Sequence, residues 1–207
     1  MKKVIDFVST EKYGVKCPYA MEPEFVVIHN TSNDASAKAE VSYMKNNGLS
    51  TSFHFAADDV EVRQAIPLDR NAWHAGDGAS GKGNRKGISI EICYSKSGGE
   101  KFLKAEENAA KLTAELLSER GWTTDRVKKH QDFSGKYCPH RTLDLGWERF
   151  LKKVENYMEF TSVNDIVREL SERGIISDKD LWLEKLREDE DSYWLARKCA
   201  NYIRGDR

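Results

Sequence analysis

The chain has 207 residues, of which 32% are charged, and its formal net charge is −1. This length suits one ordinary domain with a sizeable core and a small second domain. The balanced charge excludes a strong field that would draw the protein to nucleic acid or to an anionic membrane surface. No apolar run reaches the length that spans a bilayer.

The first 158 residues alternate short strands and helices in an irregular order. The predicted elements are a buried strand at 24–29, a helix at 35–47, strands at 51–57 and 60–66 that form a hairpin, a glycine-rich loop at 75–87, a strand at 87–94, and helices at 105–120 and 147–158. This mixture predicts an α/β fold in which a central mixed β-sheet is flanked by helices.

The composition changes near residue 160, where three amphipathic segments begin. Ser162, Ser177 and Ser192 each occupy the position of an N-cap before one of these segments. We therefore predict two domains, one over residues 1–158 and a small three-helix domain over residues 162–207.

The N-terminal segment and the cysteines bear on the compartment of synthesis. Asp6 interrupts the first apolar stretch before a signal-peptide core forms. The four cysteines are widely scattered, which is typical of thiols and an occasional metal ligand and not of a disulfide framework. We therefore expect the protein to be cytoplasmic when it is synthesised.

A histidine and a cysteine flank a glycine-containing loop that could fold one back toward the other. These residues, His130 and Cys138, are both good zinc ligands, and His29 at the end of an apolar run is a third. Two nitrogens and one sulfur, with no evident fourth ligand, describe a catalytic zinc with an open position for water. Taken singly, each residue has an ordinary structural interpretation, and His140 is an alternative to Cys138 as ligand.

Two charged residues are candidates for the chemistry next to such a metal. Glu91 is an acid within an otherwise apolar strand, where it either carries a proton beside the metal or faces solvent. Lys136 lies two residues before Cys138 and is either an oxyanion partner or an ordinary solvated lysine. The residues alone leave both alternatives open.

An aromatic residue and an imidazole precede the glycine-rich loop. Trp73 and His74 suit stacking and hydrogen bonding to a sugar or peptide in a substrate groove, although one core aromatic and one exposed histidine would explain them equally. His54 alternates with Phe53 and Phe55 and is expected to be a buried, hydrogen-bonded histidine and not a ligand.

The glycine-rich segment 76–83 nearly matches a phosphate-binding loop. Gly83 stands where a serine or threonine would hold magnesium, and no strand runs directly into the segment. We therefore expect no nucleotide partner.

Residues 1 to about 158 resemble the zinc-dependent N-acetylmuramoyl-L-alanine amidases, a group shared by phage endolysins and peptidoglycan-recognition proteins. The motifs that carry the resemblance are Val27-Ile28-His29-Asn30-Thr31, Ser52-Phe53-His54-Phe55, Ala72-Trp73-His74-Ala75-Gly76, Gly87-Ile88-Ser89-Ile90-Glu91 and the segment from His130 to His140. The resemblance implies that His29, His130 and Cys138 bind Zn²⁺, that Glu91 is the acid/base and that Lys136 assists. One departure is Phe53, where some members have a catalytic tyrosine, and this puts more weight on Glu91.

The activity implied by the resemblance is hydrolysis of the amide between N-acetylmuramic acid and L-alanine of the stem peptide, with bacterial peptidoglycan as the partner. Members without a signal sequence act on the cell wall after release through a membrane permeabilised by another protein. The C-terminal helices would then suit wall targeting, with two or more of their aromatic residues in the core. The alternatives are a peptidoglycan-binding module without catalysis and a zinc peptidase that cuts within the stem peptide.

Overall fold

The computed structural model describes residues 1–158 and 163–204. The chain divides into two compact units, Met1–Val154 and Glu155–Arg207. The first unit contains a single mixed sheet with helices packed on both faces. The predicted α/β architecture is therefore confirmed.

Six strands form the sheet, in the order β1-β4-β3-β5-β2-β6. The strands are β1 (Lys2–Ile5), β2 (Phe25–Asn30), β3 (Phe55–Ala57), β4 (Glu61–Gln64), β5 (Gly87–Ile92) and β6 (Val127–Lys129). Only β3 and β4 pair antiparallel, whereas β2 pairs in parallel with β5 on one side and β6 on the other. Three adjacent parallel strands therefore end at the same edge of the sheet.

The helices of the first unit connect and cover these strands. They are α1 (Tyr13–Lys16), α2 (Ala37–Asn46), α3 (Lys82–Lys86), α4 (Gly99–Ser118), α5 (Gln131–Ser134), α6 (His140–Asp144) and α7 (Trp147–Met158). Successive β3 residues face opposite sides: Ala56 belongs to the core cluster that includes Val41 of α2, while Phe55 lies with Leu112 of α4. Among the described residues of the first unit, no helix is both long and apolar enough to cross a membrane, and the same holds in the second.

Several predicted elements have different bounds in the structure. The strand predicted at 51–57 is confined to β3, because the Ser52 N–H bonds to the Trp73 carbonyl and the His54 N–H bonds to the Ser89 hydroxyl instead of to a strand ladder. The loop predicted at 75–87 contains α3, whose first turn donates two N–H groups to the Asp77 carboxylate. Helix α4 begins at Gly99, ahead of the predicted start at residue 105.

The second unit contains three helices around a small core. They are α8 (Val163–Glu172), α9 (Lys179–Glu188) and α10 (Glu190–Arg204). Trp182 and Tyr193 pack against this core, as expected for at least two of the aromatic residues. Two predicted N-caps are wrong: Asp178 and not Ser177 caps α9, because its carboxylate accepts the Leu181 N–H, and Ser192 lies inside α10. The cap predicted at residue 162 lies outside the described residues.

A buried asparagine joins the end of β2 to the start of α6. The Asn30 side-chain oxygen accepts the N–H groups of Arg141 and Thr142 at 2.9 and 3.2 Å, and its amide donates to the Thr142 hydroxyl at 3.3 Å. Helix α6 directly follows Cys138 and Pro139, so this contact sets where Cys138 lies relative to β2.

Asn30→Ala is expected to release the start of α6 and expose Cys138. Two buried N–H groups lose their acceptor, which costs about 1–3 kcal/mol of unfolding free energy. Denaturant unfolding measures that loss. The rate at which a thiol reagent labels Cys138, with chelator present and Cys199 changed to serine, measures the exposure. Cys17 and Cys93 are fully buried and do not interfere.

Asn46→Ala is the matched control, because Asn46 is exposed and bonds only to Ser42 of its own helix. Equal labelling rates in Asn30→Ala, the control and the parent would contradict the role given to Asn30.

Candidate active site

The candidate metal ligands are collected at the edge where three parallel strands end. His29 lies near the end of β2 and is paired in register with Glu91 of β5, so both side chains project from the same face. His130 directly follows β6, and its N–H donates to the Ile28 carbonyl at 3.3 Å. Crevices outside the carboxyl ends of parallel strands are common ligand sites in open α/β sheets.

Cys138 is brought to the same place by the loop after His130. Gly135 ends α5 with a φ of 75°, a conformation that glycine adopts without strain. The Gln131 N–H then donates to the Cys138 carbonyl at 3.0 Å and closes the loop. The predicted fold-back of Cys138 toward His130 is therefore present.

The three ligand atoms form a compact and buried group. One nitrogen of His29, one nitrogen of His130 and the sulfur of Cys138 all lie within 4.8 Å of one another, and the two Nδ1 atoms are 3.0 Å apart. Tetrahedral zinc with bonds of 2.0–2.1 Å to nitrogen would separate two ligand nitrogens by about 3.3 Å. The donor set and its spacing therefore fit a zinc ion.

The electrostatics of the site favour neutral imidazoles. Burial, with His74 and His130 nearby, lowers the pKa of His29 well below its ordinary value, and burial and Lys136 lower the pKa of His130. Burial and the charge of Glu91 raise the pKa of Cys138 to about 11. A coordinating cation reverses that preference and deprotonates a thiol.

His74 and Ala75, at the start of the glycine-rich loop, contact the two candidate ligand histidines. His74 Nδ1 lies 2.9 Å from His29 Nε2, and a backbone hydrogen bond to Ala75 acts on His130. The Asn84 side-chain oxygen accepts the N–H groups of both His74 and Ala75 at 2.8 Å. Such outer contacts fix the tautomer and the orientation of ligating histidines.

Glu91 lies beside the histidines, and its side chain is 19% exposed. Its Oε1 is 3.9 Å from His29 Nδ1. Burial, together with the charge of Glu40, raises the pKa of Glu91 to about 8, and the charge of Lys136 opposes that increase. A partly buried carboxyl with a pKa near neutrality is suited to proton transfer.

A groove of about 890 Å³ opens onto this group of residues. Trp73, His74, His130 and Lys136 line it, so it connects one candidate metal ligand, His130, with the predicted substrate residues. His74 is only 8% exposed and bonds to His29. Its main contact is therefore with this candidate ligand and not with the groove. Trp73 packs edge-on against Tyr19, with ring centroids 5.9 Å apart.

Three other sequence predictions have clear positions. His54 is fully buried, with Nδ1 3.0 Å from the Ser89 hydroxyl and Nε2 2.9 Å from the Arg70 carbonyl, as predicted for a hydrogen-bonded histidine. His140 lies outside the ligand group, with Nε2 3.3 Å from the Ser95 carbonyl. In the segment that resembles a phosphate-binding loop, the Gly83 N–H is already taken by Asp77.

Sequence reasoning missed one wall of the groove. The residues that it did not single out are Gly14, Val15, Pro18, Tyr19, Ser50, Thr51, Ser134 and Asn84. Half of them lie in irregular segments and half in helices of four or five residues, which are too short to show hydrophobic periodicity, so nothing in the sequence marked them as neighbours of the histidines.

Comparisons with known proteins agree with this geometry. Residues 19–141 match the family model described as N-acetylmuramoyl-L-alanine amidase. The chain is 62% identical over 156 residues to the N-acetylmuramoyl-L-alanine amidase CwlA of Bacillus subtilis (strain 168), covering 75% of this chain and 57% of that protein. It is 60% identical over 151 residues to XlyB, another N-acetylmuramoyl-L-alanine amidase of that strain, covering 72% and 48%.

The fold also matches a solved structure, that of the PlyG catalytic domain. The TM-score is 0.73 at 51% identity, over 78% of this chain and 98% of that one. The chain spans about half the length of the two Bacillus relatives. The matched segment covers more than half of the chain and contains the ligand group, and the chain belongs to the N-acetylmuramoyl-L-alanine amidase family.

Proposed function

We propose that this protein is a zinc-dependent N-acetylmuramoyl-L-alanine amidase that acts on bacterial peptidoglycan. The observation that carries the proposal is the buried group of His29, His130 and Cys138, with Glu91 beside it, next to a groove that His130 lines and that is large enough for a glycan-peptide. The family membership supports the bond to be cut, which is the amide between N-acetylmuramic acid and L-alanine.

His29, His130 and Cys138 would hold the zinc ion. When bound, zinc supplies a Lewis acid for the substrate carbonyl and makes water a stronger nucleophile near neutral pH. Three protein ligands leave one coordination position open, as in catalytic and not structural zinc sites. His74 keeps the His29 ring in the orientation that turns Nδ1 toward His130.

Glu91 would act first as the general base and then as the general acid. Its carboxylate accepts a proton from the attacking water and returns it to the nitrogen of L-alanine as the amide bond breaks. Lys136, whose side chain is exposed in the groove, places a positive charge where the carbonyl oxygen becomes negative. Trp73 would bind the substrate along the groove wall. Phe53 is buried in the core cluster and contributes no hydroxyl.

The C-terminal helical unit would direct the enzyme to the cell wall. This part of the proposal rests on the compact three-helix core, which is separate from the sheet domain, and on exposed side chains such as Leu195 and Tyr202 that are 66% and 76% exposed.

Mass analysis of digested wall tests the reaction and the metal together. We expect the protein to release fragments with new L-alanine amino termini, and chelator to stop their release. Cys138→Ala and His29→Ala are each expected to reduce lysis to background and to lower zinc content, because two ligands hold the ion poorly.

Cys199→Ala is the matched control, since Cys199 is exposed on α10. New termini inside the stem peptide would identify a peptidase, an absence of new termini would identify a binding module, and full lysis by Cys138→Ala would refute the ligand assignment.

Glu91→Gln is expected to retain zinc and lose turnover. Glutamine has nearly the same shape as glutamate but neither accepts nor releases a proton near neutral pH, so kcat should fall by about 10²–10⁴. Metal analysis and single-turnover kinetics separate the two effects. Glu119→Gln, at the residue directly after α4, controls for the loss of a charge, because the Glu119 side chain is 64% exposed. Near-normal turnover in Glu91→Gln would place the base elsewhere.

Deletion of the residues after 160 is expected to leave a folded domain that binds zinc and still cleaves soluble substrate. The reason is that the ligands and the groove lie within Met1–Val154. Pull-down with purified wall should show weaker retention than the full chain. Loss of solubility or of zinc in the truncated protein would instead assign the helices a structural role.

A further inference from the structure

A fully buried lysine lies behind the groove wall that sequence reasoning missed. Lys16, the last residue of α1, is 0% exposed. Its Nζ donates to the Asn47 side-chain oxygen at 2.8 Å, to the Leu49 carbonyl at 2.5 Å and to the Thr51 carbonyl at 3.3 Å. An ammonium has three donors, so all of them are used.

The acceptors of this buried charge are all neutral. Among residues 1–158 and 163–204, no carboxylate forms an ion pair with Lys16. Desolvation, helped by the charge of Lys12, lowers the pKa of Lys16. Buried charges are usually paired with an opposite charge. Three neutral oxygens from one loop therefore indicate that the cation is there to hold the loop.

The loop held by Lys16 and the helix that carries Lys16 are both parts of the groove wall. Gly14 and Val15 of α1 line the groove from one segment, and Ser50 and Thr51 line it from the loop. The loop is tied to α2 at its start, where the Asn47 N–H and side-chain amide both donate to the Tyr43 carbonyl, and residues 48–51 belong to no strand or helix. Its position relative to α1 therefore depends strongly on the Lys16 ammonium.

A second contact of Lys16, made by its backbone carbonyl and not by its ammonium, reaches the third wall segment. The Ser52 hydroxyl donates to the Lys16 carbonyl at 2.6 Å and accepts the Trp73 N–H at 2.9 Å. Trp73 in turn donates its indole N–H to the Val15 carbonyl at 3.1 Å. Lys16 thus ties α1, the 47–52 loop and the Trp73 segment into one unit.

We propose that Lys16 is a positioning residue for substrate binding, which fixes the groove wall formed by α1, the 47–52 loop and Trp73. This inference rests on the proposed function. Asn84 holds the His74–Ala75 segment in place without the Lys16 ammonium, so loss of the ammonium acts on substrate affinity and leaves the histidines and the chemical step in place.

Lys16→Met tests the proposal, because methionine keeps much of the side-chain volume without the charge or the donors. With a soluble N-acetylmuramoyl peptide as substrate, we expect KM to rise about tenfold and kcat to stay within about twofold. This pattern shows the loss of an interaction that stabilises the bound substrate and the transition state equally. Zinc content should equal that of the parent. Hydrogen exchange should become faster at residues 47–52.

The matched control is Lys12→Met, four residues earlier, whose ammonium bonds to the Lys45 carbonyl outside the groove. Its KM should equal that of the parent. Should Lys16→Met not fold, Asn47→Ala removes one of the three acceptors with a smaller loss, and the same pattern is expected on a smaller scale.

Binding measured in the Glu91→Gln background separates this inference from the proposed function, since it needs no turnover. A higher Kd for the peptide with Lys16→Met supports the positioning role even if wall analysis refutes the amidase reaction. Faster exchange at 47–52 with an unchanged KM and Kd would overturn it. So would a fall in kcat accompanied by loss of zinc, which would make Lys16 a general support of the fold.

Discussion

The close approach of two imidazoles at the end of three parallel strands is the constraint on which the site depends. The Nδ1 atoms of His29 and His130 are 3.0 Å apart, and two ring nitrogens at that distance cannot both carry a proton toward each other. At least one of the two rings must therefore be neutral, with its Nδ1 lone pair facing the space between them. Burial of both side chains enforces that state, and a cation that accepts the lone pairs stabilises it.

One short segment contacts both candidate ligand histidines and also lines the groove. His74 holds His29, Ala75 acts on His130, and Trp73 faces the groove. Asn84 fixes this segment from behind by accepting two of its N–H groups. A shift of the segment would therefore change both ligand orientation and groove shape. In that arrangement His74 both contacts His29 and lines the groove.

The sequence was most informative where side chains are buried and periodic. The central strands β2 and β5 carry long apolar runs, and His29 and Glu91 stand out within them as polar exceptions. The two edge strands were missed because β1 and β6 are short and rich in lysine, a composition typical both of exposed loops and of protected sheet edges. The burial of Lys16 was missed for a related reason, since a lysine at the end of a four-residue helix is ordinarily solvated.

The buried polar residues of the first unit differ in how many of their donors and acceptors form hydrogen bonds with neighbouring groups. This difference distinguishes residues that stabilise the fold from residues suited to catalysis. Lys16 uses all its donors on neutral oxygens, and His54 bonds through both ring nitrogens. Such groups stabilise one arrangement of the chain. Glu91 instead keeps a pKa raised to about 8, because desolvation exceeds the attraction of Lys136. A carboxyl group with a raised pKa is typical of a functional site. Glu91 lies beside the one buried group of candidate metal ligands found among the described residues.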